Sequence, residues 1–122
     1  MKKILVVDDN EDILQVVELI LKNNGMEVEA ISDGNEAVYR TGKFKPDLIL
    51  LDVYLGGVDG RDICEKLKAD KGTNQIPIIM FSAQSNLDEV KKYKAEDFIA
   101  KPFEISDLIS KINCQLAKAL SN

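Results

Sequence analysis

The sequence predicts an α/β fold in which a parallel sheet of five strands is covered by helices on both faces. Short, continuously apolar segments alternate with helical patterns along all 122 residues, and three of these segments are rich in branched residues. A strand that is buried on both faces of a parallel sheet has this composition, because neither face meets water. Regular alternation of strands and helices favours right-handed crossovers and an open sheet.

The five strands can be placed from their apolar runs. We predict central strands at residues 4–7, 48–51 and 78–81, where every residue is apolar. Residues 28–31 alternate between polar and apolar side chains, which suits a strand near an edge of the sheet. Residues 97–100 provide a short fifth strand.

Two of the five predicted helices are marked by a strong apolar stripe. The first ends at Asn24 and Gly25, which are residues that commonly terminate a helix. The second stripe marks the last of the five helices and lies near the end of the chain. The residues of the two stripes are Ile13, Val16, Val17, Ile20 and Leu21, and Ile105, Leu108, Ile109, Ile112 and Leu116.

The other three helices are predicted mainly from their first residues. Asp33 with Glu36 resembles a capping box at the start of the second helix. The third begins after Asp59 and Gly60, with Asp59 interpreted as a cap or turn residue. Ser85 opens a fourth helix, whose apolar pattern is weaker.

Composition limits the classes of function. Hydrophobic residues make up 45% and charged residues 30% of the chain, which is typical of a globular domain and excludes disorder. The net charge of −5 opposes binding to nucleic acid or to an anionic membrane. The apolar run at residues 4–7 is too short for a signal peptide. We therefore expect a cytoplasmic protein, with Cys64 and Cys114 as buried, reduced thiols.

The chain contains no histidine. This absence excludes catalytic triads, histidine metal sites and a phosphohistidine within the chain itself. Any chemistry must therefore use carboxylates, hydroxyls and lysines.

Polar residues follow four of the predicted strands. Asp8 and Asp9 come after the first strand, Asp52 after the third, Ser82 after the fourth and Lys101 after the fifth. In open parallel sheets, ligands bind beyond the carboxyl ends of the strands. If the strand order is 2-1-3-4-5, as in flavodoxin-like folds, the three carboxylates converge.

Three converging carboxylates are costly unless one is protonated or a cation neutralises them. Oxygen ligands favour Mg²⁺, with Mn²⁺ as a substitute, so the sequence predicts a magnesium-assisted phosphoryl site. Residues 8–11 are acidic or amide side chains in the place where a glycine-rich phosphate loop would lie. That composition argues against a nucleotide or flavin site.

Five spaced motifs together resemble a known family. They are ILVVDD at residues 4–9, DLILLD at 47–52, DG at 59–60, IIMFSA at 78–83 and KPF at 101–103. In this order they are similar to the receiver domain of bacterial two-component response regulators, the CheY-like superfamily. The resemblance extends over essentially the whole chain, and it implies a flavodoxin-like (βα)5 three-layer sandwich with strand order 2-1-3-4-5.

The resemblance also implies roles for the strand-end residues. Asp52 matches the aspartate that accepts a phosphoryl group from the phosphohistidine of a partner kinase. Asp8, Asp9 and Asp52, with the backbone carbonyl of Tyr54, match the Mg²⁺ ligands. Lys101 matches the lysine that pairs with the phosphate.

Further residues match the positions that read or remove the phosphoryl group. Ser82 matches a hydroxyl that moves to bind a phosphoryl oxygen, and Phe98 matches an aromatic residue that rotates inward. Tyr54 and Gln84 match two positions that tune dephosphorylation in the family.

The function that follows from the resemblance is a phosphorylation-dependent switch. We expect residues 1–122 to form one receiver domain, either natural and stand-alone or excised from a longer regulator. Its partners would be a histidine kinase or histidine phosphotransferase and an output protein, with the receiver monomeric or dimerising on phosphorylation. It would not be a conventional enzyme, although it would assist its own phosphorylation and dephosphorylation.

Three alternatives stay open at this point. The chain could pass its phosphoryl group on to another histidine as a relay intermediate. It could be a binding module that works without phosphorylation. It could also be a magnesium-dependent phosphohydrolase, although the sequence lacks an Asp-x-Asp nucleophile motif.

Overall fold

The computed structural model describes residues 1–82 and 92–120. Its seven described strands are β1 (Lys3–Val7), β2 (Glu27–Ile31), β3 (Leu48–Asp52), β4 (Tyr54–Leu55), β5 (Val58–Asp59), β6 (Ile78–Ser82) and β7 (Asp97–Ala100). The α-helices of the same residues are α1 (Glu11–Asn23), α2 (Ala37–Phe44), α3 (Gly60–Ala69) and α4 (Ile105–Leu120). The helix predicted from Ser85 lies outside the described residues.

The main sheet has the order β2-β1-β3-β6-β7, and every neighbouring pair is parallel. Once the small antiparallel hairpin of β4 and β5 is set aside, this is the predicted order 2-1-3-4-5. The alternating segment forms β2 at one edge, as expected. The prediction of a flavodoxin-like α/β fold is therefore confirmed.

Two apolar layers cover the two faces of the sheet. Because successive residues of a strand point to opposite faces, β1 sends Ile4 and Val6 into the layer with α1 and α4. Leu5 and Val7 enter the layer with α2 and α3. The sheet is therefore buried on both sides, which explains the continuously apolar strands.

The helix stripes are confirmed in their centres and wrong at two border positions. In α4, the residues Leu108, Ile112 and Leu116 are buried, whereas Ile105 is 57% exposed because it lies at the first residue of the helix. In α1, Val16 is 52% exposed and Leu14 is buried instead. A stripe predicted from spacing does not fix which of its border residues faces the sheet.

The helix starts agree with their capping residues, with one difference. Asp59 caps α3 by accepting a hydrogen bond from the Arg61 amide. Asp33 instead caps a short 3₁₀ turn (Gly34–Glu36) that precedes α2. The Oε1 atom of Glu36 lies 3.8 Å from the Nη2 atom of Arg40, which is four residues later in the chain.

The prediction of two buried thiols is wrong for one cysteine. Cys64 is buried in α3, and burial raises the pKa of its thiol to about 11. Cys114 is exposed, because it lies off the buried stripe of α4. Both are free thiols. Among the described helices, none has the length and apolar character needed to cross a bilayer.

Candidate functional site

The register of the central strands places the acidic residues side by side. β1 and β3 are parallel, with Val7 opposite Leu51. The next residue of each strand is an aspartate, so Asp8 and Asp52 meet at the carboxyl edge of the sheet. The apolar strand sequences thus determine where the acidic side chains stand.

The carboxylates of Asp8, Asp9 and Asp52 form one cluster. One oxygen atom from each lies within 4.8 Å of the others. Asp8 and Asp52 are buried and Asp9 is exposed, so the cluster opens to solvent on one side. A donor set made only of carboxylate oxygens, with one open side, fits a hard divalent cation such as Mg²⁺ or Mn²⁺.

Lys101 bridges the two buried carboxylates. Its Nζ atom donates hydrogen bonds to Asp8 Oδ2 at 2.8 Å and to Asp52 Oδ2 at 3.0 Å. Burial lowers the pKa of the lysine, but the hydrogen bonds and charges of the two aspartates outweigh burial and hold the pKa above its ordinary value. The lysine is therefore a fixed positive charge at the carboxyl edge of the sheet.

The charged form of Asp52 is disfavoured at this site, because its pKa is raised. Burial raises the pKa of Asp52, the hydrogen bond from Lys101 lowers it, and the charge of Asp8 raises it, with a net increase. One ammonium group thus compensates only part of the negative charge of the cluster. A bound cation would relieve the rest.

The second oxygen of each buried carboxylate is held by the backbone. The Asn10 amide donates to Asp8 Oδ1 at 2.9 Å, and the Tyr54 amide donates to Asp52 Oδ1 at 3.3 Å. In both cases the donor lies two residues after the aspartate, which is the arrangement of an Asx turn. The two carboxylates are therefore fixed in orientation from both sides.

The remaining candidate residues are Ser82, Phe98, Tyr54 and Gln84. Ser82 is buried at the end of β6, and its carbonyl oxygen accepts a hydrogen bond from the Lys101 amide at 2.8 Å. Phe98 is buried in β7, within the apolar layer of α2 and α3. The side chain of Tyr54 is half-exposed. Gln84 lies outside the described residues.

Sequence reasoning assigned no role to Arg61. Its guanidinium lies 5.9 Å from the ring centroid of Tyr54 and 5.7 Å from that of Tyr93. Tyr54 and Arg61 are seven residues apart, but Tyr93 is distant from both in sequence, and no spacing rule connects the three residues. The only available signal was the i,i+2 placement of Arg61 after the cap residue Asp59, which pairs with it.

Comparison with known families identifies the class of protein to which the chain belongs. Residues 4–113 match the family model described as the response regulator receiver domain. The chain belongs to this family. Its membership agrees with the strand order and with the acidic edge of the sheet described above.

Particular relatives extend this result. The DNA-binding response regulator MtrA of Mycolicibacterium paratuberculosis is 33% identical over 120 residues, which are 96% of this chain and 52% of MtrA. This chain spans about half the length of the curated relatives that it matches.

Two solved structures with 28–30% identity are also similar. The chemotaxis response regulator CheY4 of Vibrio cholerae aligns with a TM-score of 0.88 at 28% identity, covering 94% of this chain and 98% of that chain. The receiver domain of a signal transduction histidine kinase from Syntrophus aciditrophicus aligns with a TM-score of 0.86 at 30% identity, covering 97% and 92%.

Proposed function

We propose that this chain is a signalling switch in which Asp52 accepts a phosphoryl group from a phosphohistidine of a partner protein. The observation that carries the proposal is the bridge of Lys101 between Asp8 and Asp52 beside an open acidic cluster. Membership of the receiver family supports phosphorylation-dependent signalling in general. The finer assignment to Asp52 rests on the residues of the cluster.

Asp8, Asp9 and Asp52, together with the backbone carbonyl of Tyr54, would hold Mg²⁺ or Mn²⁺. When bound, the cation supplies positive charge close to the oxygens of the transferred phosphoryl group. The all-oxygen donor set supports this choice of cation, and Lys101 leaves part of the negative charge of the described cluster for a cation to neutralise.

The transfer itself needs an acceptor and a charge clamp. A carboxylate oxygen of Asp52 forms a bond to phosphorus while the phosphorus–nitrogen bond of the phosphohistidine breaks, and the imidazole nitrogen keeps that electron pair. Lys101 would then pair with a phosphoryl oxygen instead of with the free carboxylate. Because residues 1–122 contain no histidine, the phosphohistidine donor would lie outside them, in a histidine kinase or a histidine phosphotransferase.

Phosphorylation of Asp52 would change the contacts made by side chains at the carboxyl edge of the sheet. The new group adds negative charge and acceptor oxygens, which the hydroxyl of Ser82 would approach. Phe98 would respond by repacking in β7, while Tyr54 and Gln84 would influence the rate of hydrolysis. The altered surface would bind an output protein. In this proposal residues 1–122 form one receiver domain, and the domain acts in the cytoplasm.

Intact-mass spectrometry after incubation with acetyl phosphate and Mg²⁺ tests the proposal. We expect one phosphoryl adduct on the wild-type chain, none after addition of EDTA, and none on Asp52→Asn. Asp33→Asn is the matched control, because it makes the same substitution at an exposed capping position and should keep the adduct. An adduct that persists on Asp52→Asn, or its absence from the wild-type chain, would contradict the proposal.

A further inference from the structure

We propose that Arg61 is a positioning residue that couples the loop after Asp52 to the segment around Tyr93. This inference rests on the proposed function, because the signal to be coupled is phosphorylation of Asp52. The feature that carries it is one guanidinium group placed between two aromatic rings from distant parts of the chain. The three side chains Tyr54, Arg61 and Tyr93 are called the aromatic clamp below.

The distances within the aromatic clamp are those of cation–π contacts. The Cζ atom of Arg61 lies 5.9 Å from the ring centroid of Tyr54 and 5.7 Å from that of Tyr93. Contacts of this kind are effective within about 6 Å. Arg61 is only 20% exposed, so its guanidinium is partly shielded from water and held in a defined place.

Asp59 fixes the orientation of the guanidinium. The Nε atom of Arg61 donates to Asp59 Oδ1 at 2.9 Å, and its Nη2 atom donates to Oδ2 at 2.7 Å. A two-bonded arginine–carboxylate pair defines the plane of the guanidinium as well as its position. The side chain is therefore a rigid connector between the two rings.

The first turn of α3 transmits movement from the acceptor to Arg61. The Gly60 amide donates to the Val53 carbonyl oxygen at 2.7 Å. Tyr54 is paired with Asp59 across the hairpin of β4 and β5. A shift of the backbone at residues 52–54 would therefore shift Asp59 and, with it, Arg61.

The face of α3 that carries Arg61 also contacts the backbone of Tyr93. Cys64 lies one turn after Arg61, and its thiol donates to the Tyr93 carbonyl oxygen at 3.2 Å. Residues three apart lie on one face of a helix, so α3 contacts both the backbone and the ring of Tyr93. Tyr93 in turn packs against the apolar layer that contains Phe98.

The effect of phosphorylation would reach the aromatic clamp through the hydrogen bond of the Tyr54 amide to Asp52. That amide donates to Asp52 Oδ1 at 3.3 Å in the unmodified protein. A phosphoryl group on the Asp52 carboxylate changes the charge and geometry of this acceptor. The change passes through packed and hydrogen-bonded groups to Tyr93, by a route separate from Ser82.

Fluorine NMR of protein labelled with 3-fluorotyrosine tests the coupling. The chain has three tyrosines, and Tyr39 on α2, beside Lys43, provides an internal reference. Single Tyr→Phe variants assign the signals, and unlabelled protein identifies the signals of the phosphate mimic beryllofluoride. With beryllofluoride and Mg²⁺, we expect the Tyr54 and Tyr93 signals to shift and the Tyr39 signal to stay.

Arg61→Gln is the decisive variant. We expect its Tyr54 signal to shift as in the wild-type chain, while the shift of Tyr93 is lost or falls below half. Arg61→Lys keeps the charge without the planar fork, and we expect an intermediate loss. Arg40→Gln is the matched control, because the guanidinium of Arg40 pairs with Glu29 of β2 and not with the aromatic clamp, and it should leave the Tyr93 shift intact.

The outcomes separate the two proposals. A full shift of Tyr93 in folded Arg61→Gln, or in Arg61→Lys if the glutamine variant does not fold, overturns the coupling and leaves the proposed function standing. No shift of Tyr54 or Tyr93 in the wild-type chain, with no beryllofluoride bound, overturns both proposals.

Discussion

Gly60 lies so close to the backbone of Asp52 that a Cβ atom at residue 60 would overlap the Asp52 carbonyl oxygen. The same Cβ would lie 3.1 Å from the Cα atom of Val53. Glycine at this position lets α3 begin directly against the end of β3. The position of the candidate acceptor Asp52 therefore depends on a glycine at the first residue of α3.

Gly60→Ala tests this close approach. The added methyl group meets backbone rather than a flexible side chain, so we expect the free energy of unfolding to fall by about 3 kcal/mol or more. Urea denaturation followed by circular dichroism measures the change. Gly42→Ala in α2 is the control, because a Cβ there meets open space, and we expect a gain of about 0.5–1 kcal/mol. Equal stabilities of Gly60→Ala and the wild-type chain would contradict the observed packing.

Lys101→Met tests the electrostatics of the cluster. The variant leaves the buried Asp8 and Asp52 without their shared ammonium group, so without Mg²⁺ we expect a loss of about 3 kcal/mol in the free energy of unfolding. Mg²⁺ should stabilise the variant more than it stabilises the wild-type chain, because the cation then replaces a missing positive charge.

Urea denaturation with and without Mg²⁺ measures both effects of Lys101→Met. Lys22→Met is its control, because Lys22 pairs with Glu18 at the surface, and we expect a change within about 0.5 kcal/mol. If Mg²⁺ stabilises Lys101→Met and the wild-type chain equally, the cation does not compensate the charge of this cluster.

Asp59 predicts a specific pH dependence. Its hydrogen bond from Arg61 holds the pKa of the carboxyl below the ordinary value of 3.8. A lowered pKa in the folded state adds stability above the unfolded pKa, and this stability is lost as the pH falls through the folded pKa. Asp59→Asn keeps a capping oxygen but removes the charge.

We therefore expect the stability difference between the wild-type chain and Asp59→Asn to be constant near neutral pH and to close below about pH 4. Urea denaturation at a series of pH values measures it. In the Arg61→Gln background the difference near neutral pH should be smaller, because the partner of Asp59 is missing. A difference that does not vary with pH would exclude the charge of Asp59 as its cause.

The sheet was predictable from the sequence because burial on both faces leaves a continuously apolar run. All five predicted strands match the observed main-sheet strands to within one residue at each end. The meeting of Asp8 with Asp52 followed from the same runs, since parallel neighbours end at the same edge of the sheet.

Other features were not predictable because they depend on tertiary contacts. The exposure of Val16 and Cys114 depends on how far each helix rotates against the sheet, and helical spacing does not determine that angle. The hairpin of β4 and β5 is only two residues per strand, which is too short for a periodic pattern. The place of Arg61 between two rings depends on three separate segments.

Chemical mapping of the modified residue tests the central claim most directly. Borohydride reduces an aspartyl phosphate to homoserine, and peptide sequencing by mass spectrometry then locates the converted residue. After treatment with acetyl phosphate and Mg²⁺, we expect homoserine at position 52 alone. Conversion at Asp8 or Asp9 instead, or no conversion at any aspartate, would contradict the assignment of Asp52 as the phosphoryl acceptor.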